Sequence, residues 1–200
     1  MGAFLELLDS EDEDIRIDAL RNLGDIGQNM PEAICSYKAV SKIVALLEDD
    51  KWYYPRYEIT ACLGKIGISK PFVHNILTKL LEEDEDEQTQ LQAAIAIKKF
   101  ENNNLKATNF LLNFICSYQD DKYKNQDIPW EVQDVANSLR LTDQITLLSK
   151  IVSVLKKYVI YQKAEIDAEF YDICIDIIRH CAKKLTFIDF CKIWEEEVVY

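Results

Sequence analysis

Apolar residues recur along this chain with helical spacing. Val40, Ile43, Val44 and Leu47 fall at i, i+3, i+4 and i+7, and so do Val73, Ile76, Leu77 and Leu80. Residues so spaced share one face of an α-helix. A second kind of stretch alternates with these. Ile15, Ala19, Leu20 and Leu23 form one copy; Ile59, Ala61, Cys62, Leu63 and Ile66 form the next. Each copy opens near an arginine, Arg16 or Arg56. Each closes on one pattern, Leu23-Gly24-Asp25-Ile26-Gly27 or Leu63-Gly64-Lys65-Ile66-Gly67. Arginines and closing motifs both stand 40 residues apart.

A third copy is degenerate. Gln90 takes the arginine's place, Ala93 and Ala94 follow, and Ile97 stands where Leu23 and Leu63 stand. A fourth is weaker, with Phe110, Leu111, Phe114 and Ile115 in its first helix and Trp130, Val132, Val135, Ala136 and Leu139 in its second. An isolated helix pair cannot bury its apolar faces, whereas stacking pairs builds a continuous core. Ala19, Ala61 and Ala93 allow close helix approach. Gly24 and Gly64 are expected at helix ends, where a positive φ is useful. Ser10 with Glu13 has the capping-box spacing, and Pro31, Pro71 and Pro129 each suit a first helical turn. The first run, Gly2 to Leu8, is short for such a helix, as in a piece cut from a longer chain.

The paired arginines, small residues and LGxIG closures resemble the HEAT repeat. The resemblance is close to about residue 100 and looser over 105–140. It implies an all-α protein: an α-solenoid of HEAT-like helical repeats over 1–140, about four helix pairs, then a small helical C-terminal domain over 141–200. In such repeats the arginine usually bonds a neighbouring turn, which is the role expected of Arg16 and Arg56. HEAT arrays are binding scaffolds of many kinds, so the fold does not name an activity.

After Leu139 the rhythm stops, but helical spacing continues. Residues 143–161 read as one long helix. Phe170, Ile173, Cys174, Ile177 and Cys181 make the next stripe, and Phe187, Phe190, Cys191 and Trp194 a third, with Thr186 and Asp189 at its cap. Cys174 to Trp194 includes His180-Cys181-Ala182, Leu185-Thr186-Phe187 and Asp189-Phe190-Cys191-Lys192-Ile193-Trp194. It resembles the Cys/His-containing C-terminal domain of cyanobacterial NACHT-type NTPases, although Cys191 replaces the usual aromatic. That resemblance implies a sensor module of a signalling or defence NTPase. The NTPase is not in this chain: Gly64 to Lys70 lacks P-loop spacing.

The 200 residues carry 35 acids and 23 bases, for a formal charge of −12. A chain so acidic is repelled by nucleic acid and by anionic membranes, so neither is expected as a partner. The acids cluster at 9–14, 48–50 and 82–87, between the two helices of successive repeats. Stacked turns would align them as an acidic ridge. Solvation of turns and helix N-termini accounts for such a ridge; so does docking of a protein or peptide with a basic surface. The candidate partner-binding residues are Glu48, Asp49, Asp50, Glu83, Asp84 and Asp86, with the aromatic cluster Trp52, Tyr53 and Tyr54 beside them.

No apolar run reaches 18 residues, and the first charges are acidic, so neither a membrane span nor a secretory signal is expected. The six cysteines form no CxxC pair and lie in apolar stretches, as reduced thiols of a cytoplasmic protein do. Cys174, His180, Cys181 and Cys191 are the residue types zinc takes, but without its knuckle spacing, and packing in a helical core is the favoured reading. Neither a catalytic group nor a cofactor is expected. The leading reading is a non-enzymatic protein-interaction or sensor module; the alternative is a phycobiliprotein bilin lyase of HEAT-repeat type.

Overall fold

The 40-residue rhythm takes shape as pairs of helices. A computed structural model describes residues 2–30, 37–48, 55–67, 71–121, 130–160 and 168–196. Among them every regular element is helical. The chain divides into two compact units, Met1–Phe100 and Glu101–Tyr200.

Among the described residues the first unit holds three pairs: α1 (Gly2–Leu7) with α2 (Glu13–Asn29), α3 (Tyr37–Ala45) with α4 (Arg56–Ile66), and α5 (Pro71–Glu83) with α6 (Glu87–Phe100). Each first helix packs on the second of its own pair. The second helices stack in series, α2 on α4 and α4 on α6. Leu20, Leu23, Ile59, Leu63, Leu77 and Leu91 are the buried knobs of this core. α6 is buried almost all round, from Leu91 to Lys98.

The glycines work differently from the expectation. Gly24, Gly27 and Gly64 lie inside helices, not at their ends. Among the described residues only Gly67 has a positive φ, 62°; it ends α4, its N–H donating to Leu63 O at 3.3 Å. The helical glycines admit the neighbouring helix instead. A Cβ at Gly27 would lie 2.7 Å from Ile66 Cγ1 and 3.0 Å from its Cα, and one at Gly64 would lie 2.9 Å from Ala96 Cβ. The α2 cap also differs. Asp12, not Ser10, is the N-cap, its carboxylate accepting from the Asp14 and Ile15 amides. Ser10 Oγ accepts the Asp12 amide one step earlier, at 3.2 Å. Pro71 opens α5 as expected; Pro31 and Pro129 lie outside the described residues.

The second unit comprises α7 (Leu105–Asp121), α8 (Trp130–Leu139), α9 (Ile145–Leu155), α10 (Lys157–Ile160), α11 (Ala168–Lys184) and α12 (Phe187–Glu195). α9 packs against α7, α11 and α12, and α8 packs against α7 and α11. Residues 105–139, grouped with the repeats by their apolar rhythm, thus form part of the second compact unit. Phe170 is fully buried, with the Tyr118 ring 5.7 Å away and the Tyr158 ring 5.5 Å away and edge-on.

The long helix read over 143–161 is interrupted at Lys156. That lysine is buried, and its Nζ donates to Ile193 O at 2.6 Å and Glu196 O at 2.5 Å. It satisfies carbonyls at the C-terminal end of α12, where cations are favoured. Thr186 caps α12, its Oγ1 accepting the Asp189 amide at 3.1 Å, as the sequence suggests. The buried face of α12 centres on Ile193; Phe190 and Trp194 stack half-buried at 5.5 Å, and Phe187 is 82% exposed.

A candidate docking cleft on the repeat array

Of the nine candidate partner-binding residues, Asp49, Asp50, Trp52, Tyr53 and Tyr54 lie outside the described residues. The other four fall on one rim. Glu48, Glu83 and Asp84 line a cleft of about 340 Å³ where α3 and the turn after it face α5. Val44, Leu47, Ile76 and Leu80 supply its apolar floor. The i, i+3, i+4, i+7 spacing that defines α3 and α5 is what brings these four side chains together. Arg56 and Lys79 complete the lining.

Arg56 fixes the cleft's width. Its Nη1 donates to Leu47 O at 3.0 Å, and its Nε donates to Asp84 Oδ2 at 2.8 Å. One guanidinium thereby ties the turn of the second repeat to the turn of the third. Two points of attachment on a planar fork leave little freedom. Arg16 does the simpler job, its Nη1 donating to Ser10 O at 3.0 Å and Glu11 O at 3.1 Å within its own turn. Bonding to a turn is the role the sequence suggests for both arginines; the reach of Arg56 to Asp84 is new.

The acids of the third turn divide by this geometry. Asp84 has a side chain only 7% exposed and is held by Arg56. Its Oδ1 also accepts the Asp86 amide at 3.1 Å. Asp86 caps α6, accepting the Thr89 amide at 3.0 Å and the Thr89 hydroxyl at 2.6 Å. Both therefore hold the turn. Glu48 and Glu83 are exposed and keep their carboxylates available at the mouth of the cleft. In the first turn Glu11, Glu13 and Asp14 are exposed as well, while Asp9 pairs with Lys42 at 2.7 Å.

Ion pairs also tie the stacked helices, and the sequence reading missed them. Arg21 of α2 pairs with the largely buried carboxylate of Glu58 on α4, which holds the guanidinium pKa above its ordinary value. Lys65 Nζ pairs with Asp25 Oδ1 at 2.8 Å. These last two stand 40 residues apart, so the repeat offset itself was the available signal.

Of the cysteines and histidine singled out near the C-terminal end, two pack in the core, and His180 and Cys191 are half-buried. Cys174 and Cys181 are buried, and burial pushes both thiols up to about 12, as it does Cys62. His180 is lowered by burial and by the positive charges of Lys184 and Arg140, a setting that also opposes a metal cation. Among the described residues no three His, Cys, Asp or Glu side chains converge as metal ligands. Among the same residues no helix is long and apolar enough to cross a membrane.

Stacked antiparallel helix pairs define an all-α solenoid. Residues 2–98 match the family model for HEAT repeats, almost the whole first unit. The protein is thus HEAT-like in its repeats, and arrays of this class characteristically offer extended surfaces to other proteins. Comparison with the curated proteins gave no match.

Proposed function

We propose that this protein is a non-enzymatic interaction module of the cytoplasm whose repeat array docks a protein or peptide segment. The observation that carries this reading is the cleft between α3 and α5. It has an apolar floor fixed by the Arg56 clamp, and available carboxylates, Glu48 and Glu83, at its mouth. Such a site suits an apolar side chain of the partner seated on Ile76 and Leu80, with lysine or arginine neighbours meeting the rim. A pre-formed floor limits the ordering cost of binding, and the charge of −12 steers a basic partner toward the protein.

The resemblance of Cys174 to Trp194 to the C-terminal domain of NACHT-type NTPases supports a sensor role within a signalling system as the finer form of this proposal. The match to the HEAT family model ends at residue 98 and does not reach that segment. The bilin-lyase alternative draws no support from the cleft, whose described lining includes neither a thiol nor an imidazole.

The reading is tested by selecting peptides from a random display library on the intact protein. Enriched peptides are expected to share an apolar residue flanked by lysine or arginine. They should bind the Ile76→Asp variant much more weakly. Peptides without that pattern, or equal binding to the variant, would sink it.

A further inference from the structure

In the second unit, side chains of one helix hold the turn that joins two others. Residues 140–142 follow α8 and lead into α9, and both of those helices pack on α11. Lys184 of α11 donates from Nζ to Thr142 O at 2.8 Å. His180 stands four residues earlier, on the same face of α11, and its ring bonds the backbone of Arg140. The imidazole thus holds residue 140 as the ammonium holds residue 142. The ring nitrogen Nε2 takes no part in this: it is buried and has no hydrogen-bond partner.

The surroundings of the ring are cationic. Arg140 faces it from the end of α8, and Lys183 and Lys184 from its own helix. The Arg140 guanidinium donates to Ala136 O and to Asn137 Oδ1, both uncharged acceptors. α9 opens with Ile145-Thr146-Leu147-Leu148 and brings no titratable side chain to this end. α10 meets α11 at Phe170, near the opposite end of that helix. Asp176, one turn back on α11, and Asp143, beside the held turn, are engaged elsewhere: the first pairs with Arg179 at 3.2 Å, and the second accepts the Asn102 amide at 2.9 Å. A proton added to His180 would put a further cation beside Arg140, Lys183 and Lys184. It would also make Nε2 a buried donor without an acceptor. Both effects favour the neutral ring and hold its pKa below the ordinary value.

We infer that His180 and the turn it holds form an acid-sensitive latch: at neutral pH the uncharged ring and Lys184 keep residues 140–142 on α11, and protonation of the ring in mild acid releases that turn. Once released, the imidazole takes up a proton near its ordinary value of about 6.5, whereas the latched ring resists it. The contribution of the latch is therefore full above that pH and is lost as pH falls below it. The closing equilibrium weakens by up to about tenfold per pH unit, the limit for one proton. Because the turn joins α8 to α9, its release loosens the seating of both helices on α11. The latch is independent of the docking cleft, which lies in the other unit.

Hydrogen exchange of the intact chain tests it, followed by NMR at about pH 7.5, 6.5 and 5.5, the range in which an imidazole ordinarily titrates, and corrected for intrinsic exchange. The reporters are the amides of Arg140, Leu141 and Thr142, which donate to Ala136 O, Ser138 O and Leu139 O. Their protection should hold between the two higher values and fall several-fold, up to about tenfold, between the two lower ones. His180→Gln, whose side chain never ionises, should abolish that fall. A second measurement needs no variant: the His180 ring protons in the wild type should titrate below about 6.5. Protection that is flat over the whole range, an equal fall in His180→Gln, or a ring that titrates at or above its ordinary value overturns the inference.

Discussion

The two units solve one problem, covering the apolar faces of helices, by opposite means. In the first unit the backbones come close. Gly27 and Gly64 give up their side chains so that Ile66 and Ala96 can approach, and ion pairs tie the stacked helices, Lys65 with Asp25 at the repeat spacing itself. In the second unit there is no glycine at all. Phe170 fills its core with Tyr118 and Tyr158 around it, and Lys156 secures the end of α12. Close approach demands small residues at fixed places, so it recurs along the chain. Packing through large side chains has many solutions and leaves no period. The family match ends at residue 98, two residues before the boundary between these modes.

The comparison is most exposed to failure at Phe170. Truncation of a buried phenylalanine costs about 3–5 kcal/mol. Phe170→Ala should lower the unfolding free energy of the second unit, measured in urea, by that amount while α2 and α4 keep their hydrogen-exchange protection. Loss of protection in both units together would mean that they unfold as one.

The glycines sharpen the contrast from the other side. Alanine is favoured over glycine in a helix interior by up to about 1 kcal/mol. Overpacking costs about 1–3 kcal/mol. At Gly27 the new methyl meets Ile66 at 2.7 Å and that residue's backbone at 3.0 Å, so Gly27→Ala should destabilise. At Gly24 the nearest atom is Lys65 Cδ at 3.1 Å, on a side chain that can move away, so Gly24→Ala should be neutral or stabilising. Equal effects at the two positions in urea denaturation would remove close approach as the organising feature.

Alkaline pH separates the units more gently. Burial raises Cys62, Cys174 and Cys181 from 9.0 to about 12. Between those values the unfolded chain releases thiol protons that the folded chain keeps. Their stabilising contribution is therefore full below pH 9 and falls as pH rises, by up to about 1.4 kcal/mol per pH unit per thiol. The described part of the first unit holds one such thiol and the second unit two. Cys174→Ala should flatten the alkaline fall in stability measured by urea titration.

The smallest effect is expected at Phe187. Exposed substitutions usually change stability by less than about 0.5 kcal/mol. Phe187→Glu should leave the urea midpoint in place.

Much of the first unit was legible because periodicity is a sequence property. The offset of 40 located both LGxIG motifs, both arginines and the helices around them. It did not tell what the glycines do, because a glycine that makes room and one that turns the chain look alike without the neighbouring helix. Asp84 and Asp86 read as surface acids for a similar reason: their partners, Arg56 and the amide end of α6, are tertiary or local geometry that composition does not carry. In the second unit helicity was legible, but register was not. Lys156 interrupts an apolar run as a surface lysine would, and only the placed carbonyls of α12 explain its burial. On α12 the stripe from Phe187 to Trp194 had the right spacing, yet the core takes Ile193 and leaves Phe187 outside.

The central claim is that the rim cleft of the HEAT-like array binds an apolar residue set among basic ones. Isothermal titration of a library-selected basic peptide into wild type and into the Ile76→Asp, Glu83→Lys double variant tests it most directly. The expected loss of affinity is on the order of a hundredfold, about 2.7 kcal/mol, with Tm unchanged. Equal affinity for the two proteins would contradict it.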